Sequence, residues 1–133
     1  MKAFRQTALP FLLVGASNSV VGFGVIWIAL RTFGLGDAAA NAAGYAAGFL
    51  WGFMLNRTWT FRHRGPVGTA LRRYALVCGV AYAANLATVI WLSSRFGHGS
   101  LPAQACGIAT YTTLAYAGMR IYAFPDDLRA AKD

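Results

Sequence analysis

The sequence predicts an all-α integral membrane protein, with four transmembrane helices arranged as two parallel helical-hairpin repeats. Three observations lead there. Over half of the residues are hydrophobic and only 12% are charged, a balance no soluble domain of this length can cover with polar surface. Four stretches carry no Asp, Glu, Lys or Arg: Gln6 to Leu30, Ala38 to Asn56, Tyr74 to Ser94 and Phe96 to Met119. Each is close to the roughly 20 residues a helix needs to cross the bilayer core. The third observation is a string that closes the second stretch, Asn56-Arg57-Thr58-Trp59-Thr60-Phe61, and returns at the end of the fourth as Met119-Arg120-Ile121-Tyr122-Ala123-Phe124.

The first span follows Lys2 and Arg5. Its apolar core is longer than a secretory leader's, and the third span repeats its pattern, so it reads as a retained helix. A short loop, Thr32 to Asp37, leads to the second span, and a basic loop, Arg62 to Arg73, to the third. Gly65-Pro66 and Gly68 turn the chain there, so the third helix is expected to begin near Ala70. Gly97 to Leu101 joins the third span to the fourth. The spans are apolar all round rather than alternating, which excludes a membrane barrel.

Charge sets orientation. Of the 12 basic residues, only Arg31 and Arg95 fall on one side. Lys2, Arg5, Arg57, Arg62, Arg64, Arg72, Arg73, Arg120, Arg129 and Lys132 fall on the other. The positive-inside rule places that side, with both termini, in the cytoplasm. The net charge of +8 is thereby absorbed by topology and anionic lipid, and nucleic acid is not an expected partner.

The chain reads as one domain over residues 1–133, with repeats at 8–61 and 71–124. Val25-Ile26-Trp27 recurs as Val89-Ile90-Trp91 and Arg31 as Arg95; one residue then drops out, after which Phe33-Gly34 matches Phe96-Gly97 and Gly44 matches Gly107. Each repeat starts and ends on the same side, which makes the repeats parallel. Gly44, Gly48 and Gly52 form a stripe that lets helix backbones approach closely. Gly79, Ala83 and Ala87 form a second one, and the first is expected to serve helix packing, either in a homo-oligomer or within the chain.

Polar groups within the spans are costly and normally face another helix or a wet cavity. Asn18, Asn41, Asn85, Gln104, Tyr45 and Tyr111 suggest a polar seam able to touch hydroxyl-rich groups. Arg57 and Arg120, with Asn56 and Trp59, are candidates for a lipid phosphate, which a guanidinium fork can hold through two oxygens. Arg31 and Arg95 would be outer-side cations. The chain has no Glu, and its four Asp (Asp37, Asp126, Asp127 and Asp133) lie outside the spans, so a carboxylate-driven exporter is disfavoured. No nucleophile–base pair or carboxylate pair points to an enzyme. Cys78 and Cys106 read as small core residues, and His63 and His98 stand apart from other ligands, so neither a metal nor a cofactor is expected.

Phe11-Leu12-Leu13-Val14-Gly15 entering the first span, Asn18 soon after, and the string Asn56 to Phe61 resemble the GtrA-like family of small four-span membrane proteins. The resemblance covers essentially the whole chain and carries over Gly15, Asn18, Asn56, Arg57, Trp59 and Phe61; Met119 departs from it where Asn56 would be echoed. It implies the flipping of a polyprenyl-phosphate-linked sugar across the cytoplasmic membrane for cell-envelope polysaccharide. The alternative it implies is service to a partner glycosyltransferase as anchor or assembly factor, with a small drug-exporter-like transporter as the remaining rival.

Overall fold

The computed structural model describes residues 2–96 and 101–125. The loop containing His98, the last three Asp, Arg129 and Lys132 lie outside them. Four α-helices, α1 (Lys2–Arg31), α2 (Asp37–Leu55), α3 (Val67–Phe96) and α4 (Leu101–Gly118), make up the described chain together with two π-helical turns, Asn56–Thr60 and Met119–Ala123. The molecule divides into two compact units, 1–64 and 65–133. Each is an antiparallel helical hairpin whose second helix ends in a π turn.

The helices are of two kinds. α1, from Gln6, and α3 are long and apolar enough to cross a membrane on their own. α2 and α4 are shorter, at 19 and 18 residues, and each is prolonged by a five-residue π turn. α1 reaches back through Pro10 to Lys2. α3 starts at Val67 rather than near Ala70, because Pro66 ends the preceding loop with its carbonyl accepting from the Ala70 N–H at 3.1 Å. Proline suits such an entry, having no N–H to leave unpaired. Asp37 opens α2 with a negative charge in its first turn, where the helix dipole favours it. Before it, Gly34 takes the turn out of α1 at φ 62°, a conformation that glycine adopts without steric cost.

In the first hairpin, Gly44, Gly48 and Gly52 are buried against α1. A Cβ on Gly44 would lie 2.7 Å from the Gly22 carbonyl oxygen, and one on Gly48 3.3 Å from that of Asn18. At Gly44 and Gly48 the stripe thus serves packing inside the hairpin, the intramolecular of its two expected uses. The stripe expected on α3 is not used within its own hairpin: Gly79, Ala83 and Ala87 are exposed, and a Cβ on Gly79 would meet nothing within 4 Å. α3 instead packs through Tyr74, Val77 and Ala81, two residues out of phase with that stripe and so on a different side of the helix.

The hairpins bury corresponding positions at one separation, that of Phe61 from Phe124. Phe11 and Tyr74, Val14 and Val77, Ala40 and Ala103, Gly44 and Gly107, and Gly52 and Ala115 all follow it. The same separation governs contacts: Gly44 lies against Ile26 and Gly107 against Val89. This packing register differs by one residue from the match of Val25-Ile26-Trp27 with Val89-Ile90-Trp91. Packing thus pairs Arg31 with Ser94, while Arg95 falls one position later. What a helix face presents to its neighbour fixes this register.

Candidate functional site

Each hairpin carries its candidate site on its own π turn. In the first, the Phe61 N–H donates to the Asn56 carbonyl, five residues back, at 2.8 Å. The His63 N–H then donates to the Arg57 carbonyl at 2.7 Å, with Arg62 between them at φ 49°. This is the usual left-handed helix termination, one residue wider because the turn itself is wider. The Thr58 hydroxyl donates to the Met54 carbonyl at 2.7 Å and so competes with the α-helical bond at that place. It does not cause the π turn, since the second one has Ile121 there and still bonds Phe124 N–H to the Met119 carbonyl at 2.8 Å.

A buried phenylalanine closes each turn onto the first helix of its own hairpin. Phe61 meets Phe11 with ring centroids 6.5 Å apart, and Phe124 meets Tyr74 at 6.2 Å. Tilted rings at these distances are favourable aromatic pairs, so the end of each second helix is fixed against its partner.

The turn has two sides. Asn56 and Thr60 face inward, 2% and 4% exposed, while Trp59 stands out at 45%. Arg57 is half-buried between them. The grouping of Asn56, Arg57 and Trp59 as one cluster is thus divided: Asn56 lies on the inner side, Trp59 on the outer. The second turn repeats the division with other residues. Met119 and Ala123 are buried, Tyr122 is exposed, and Arg120 is half-buried, donating to the Tyr116 hydroxyl at 3.2 Å. The Arg73 guanidinium lies 5.4 Å from the centre of the Tyr122 ring, a cation–π arrangement that brings a second positive charge to this turn.

Polar side chains of the expected seam separate in the same way. Asn18 and Asn85 lie half-buried in their hairpins, and the Asn85 amide oxygen fills the space over Gly107. Tyr111 is half-buried and hydrogen-bonded to Cys78. Asn41, Tyr45 and Gln104 are exposed, as is Cys106, which is therefore not a core residue. Arg31 is exposed, and Arg95 is exposed beside the Trp91 ring at 5.9 Å. Polar ties between helices include those from Trp51 Nε1 to Ser17 Oγ at 3.0 Å in the first hairpin and from Thr88 Oγ1 to Thr110 Oγ1 at 3.4 Å in the second.

Sequence reasoning passed over Thr60, Arg73 and the Trp51–Ser17 bond. Thr60 had a signal: it follows Asn56 by four residues, and Ala123 replaces it in the second string. Three buried side-chain oxygens lack a hydrogen-bond partner among the described residues: Asn18 Oδ1, Asn56 Oδ1 and Thr60 Oγ1. Among the same residues, no group of three His, Cys, Asp or Glu could hold a metal ion.

Fold and site together define a helical membrane protein whose hairpins end in cationic turns flanked by interfacial aromatics. Residues 10–124 match the family model described as GtrA/DPMS, transmembrane domain. The chain belongs to that family, which is concerned with sugars carried on glycosyl carrier lipids and whose transmembrane domain is generally non-catalytic. No curated protein matches the chain.

Proposed function

We propose that the protein carries a polyprenyl-phosphate-linked sugar across the cytoplasmic membrane, from inner to outer leaflet, for cell-envelope polysaccharide. One observation carries this reading beyond the family. Each hairpin closes on a half-buried guanidinium next to an exposed aromatic, Arg57 with Trp59 and Arg120 with Tyr122. A guanidinium held at the membrane interface suits a phosphate, because its planar fork donates to two oxygens at once. The exposed ring, apolar in body and polar at its tip, settles at the same depth.

In this reading both hairpins begin and end on the cytoplasmic side, where Arg57 and Arg120 receive the phosphate while the polyprenyl tail stays in lipid. Arg31 and Arg95 form the outer station. The spans carry no carboxylate, so transport follows the lipid's own gradient, set by synthesis inside and consumption outside by a membrane glycosyltransferase. Passage of a sugar between helices this slender calls for a second copy of the chain, apposed through faces other than the glycine stripe.

The test is Arg57→Lys in a reconstituted flipping assay. Lysine keeps the charge and the topology but removes the fork. If Arg57 grips phosphate, transport should fall roughly ten-fold or more, since a charge-assisted bond contributes about 1.5–3 kcal/mol, while insertion is normal. Transport at the wild-type rate would show that Arg57 is only an anchor, because either cation can reach the interface.

A further inference from the structure

The three unpartnered oxygens all belong to the first hairpin. At the separation that relates Phe61 to Phe124, the second hairpin has Ala81 for Asn18, Met119 for Asn56 and Ala123 for Thr60, each buried to within 2%. The same packing is thus built twice, once with polar atoms and once without. The fold does not require those atoms, since the second hairpin closes its π turn, seats its phenylalanine and packs its helices over apolar residues. Buried polar groups in native proteins are almost always hydrogen-bonded. For Asn18, which lies deeper in its span where no bulk water compensates, the cost is larger still.

The chemistry of these atoms says what would satisfy them. The Asn18 and Asn56 oxygens are carbonyl acceptors, and the Thr60 hydroxyl both accepts and donates. A phosphate diester anion, the form of a sugar-bearing carrier lipid, offers acceptors only and so cannot satisfy an amide oxygen, and a monoester offers at most one P–O–H donor. A sugar offers hydroxyl donors in number. Depth matters as well: Asn18 lies where α1 crosses Gly48, further into the hairpin than Asn56 and Thr60, which are on the π turn itself.

We propose that the first hairpin alone holds a glycosyl subsite, in which Asn56 Oδ1, Thr60 Oγ1 and, deeper, Asn18 Oδ1 accept hydrogen bonds from sugar hydroxyls, while the second hairpin is its dry counterpart. This rests on the carrier-lipid reading above and adds a division of labour to it. Arg57 addresses the phosphate, and the inner side of the same turn reads the sugar. Asn56 thereby leaves the phosphate group in which its sequence position had placed it.

The experiment replaces the polar atoms by what the second hairpin uses, in the double variant Asn56→Met, Thr60→Ala. Full-length protein in lipid nanodiscs is titrated with polyprenyl phosphate and with the same lipid bearing glucose, galactose, mannose or arabinose. The readout is the ratio of affinities, glycosylated over bare, together with thermal stability. Wild type should prefer at least one glycosylated lipid, and the double variant should lose that preference by roughly three- to ten-fold per lost hydrogen bond. Its stability should equal or exceed that of wild type, because unsatisfied oxygens have been removed. If the double variant does not insert, Thr60→Val, which keeps the shape and removes the hydroxyl, reads the same ratio.

An undiminished preference in the variant would overturn the proposal and leave hydration as the role of these oxygens, with the Arg57 reading untouched. Equal wild-type affinity for bare and glycosylated lipids would overturn it likewise. Wild type that binds none of the lipids would overturn the carrier-lipid reading and this proposal together.

Discussion

Replacing Gly44 by alanine tests whether the first hairpin is closed as tightly as its geometry states. The added methyl would lie 2.7 Å from the Gly22 carbonyl oxygen and 2.8 Å from Ile26 Cδ1. Ile26 Cγ1 is closer still and belongs to a β-branched side chain with one favoured helical rotamer, and the Gly22 oxygen is backbone and moves only with α1. Comfortable carbon–oxygen contact needs about 3.3–3.6 Å, so α1 and α2 must part by roughly half an ångström or more at this level. Overpacking of that kind costs about 1–3 kcal/mol, offset by the roughly 0.5–1 kcal/mol that alanine contributes over glycine in a helix. The net is destabilisation of about 1 kcal/mol, several-fold in the folding equilibrium.

Two controls sharpen the test. Gly48→Ala places its methyl 3.3 Å from the Asn18 oxygen and should be near neutral, because a few tenths of an ångström suffice. Gly79→Ala meets nothing within 4 Å and should match or exceed wild type. Reversible unfolding of purified protein by SDS in mixed micelles, followed by tryptophan fluorescence, would give the midpoints. The expected order is Gly79→Ala highest, then Gly48→Ala, then Gly44→Ala. Equal midpoints for Gly44→Ala and Gly79→Ala would refute the argument that the glycine stripe of α2, and not that of α3, sets a helix contact.

Further outcomes follow from single features. Arg62→Gly should raise the thermal midpoint, since a left-handed arginine costs about 1 kcal/mol that glycine avoids; a lowered midpoint would mean that the guanidinium matters more than the backbone. Trp51→Phe removes the donor to Ser17 and should cost about 0.6 kcal/mol, the usual size of a hydrogen bond between membrane helices, measurable in the same SDS titration. Cysteines introduced at Gly36 and Gly65, with Cys78 and Cys106 replaced by alanine, should react from opposite sides of the membrane, with position 65 cytoplasmic. Labelling of position 36 from the cytoplasm would reverse the orientation argued from the basic residues.

Much of the architecture could be read from the chain because membranes impose simple rules. Charge-free runs of about 20 residues become spans, and the ends of α1 and α2 fall close to where Arg31 and Arg57 end such runs. Phe61 and Phe124 were visible as recurring letters, and the structure gives the recurrence a cause: each is a buried plug that ties a π turn to the first helix. The π turns themselves were not legible. Neither string carries proline or glycine to announce them, and one of them lacks the hydroxyl that would favour them. The fate of the small-residue stripes was equally hidden, since the stripe on α2 and the one on α3 look alike on paper, and only one meets a helix in its own hairpin.

The class follows from the chain alone: an apolar, basic, four-helix membrane protein with a family string around Arg57. These properties depend on composition and on order along the chain, which the bilayer reads one span at a time. The tertiary structure alone decided which side of a turn each residue occupies. It set Asn56 and Thr60 inside, Trp59 outside and Arg57 between them, and it fixed the register in which Met119 and Ala123 answer them. Those assignments depend on the rotation of each helix about its own axis. That rotation is set by the close backbone approach of Gly44 to Gly22, by the Asn85 and Val89 side chains seated over Gly107 and by the phenylalanine plugs, contacts between residues far apart in the chain.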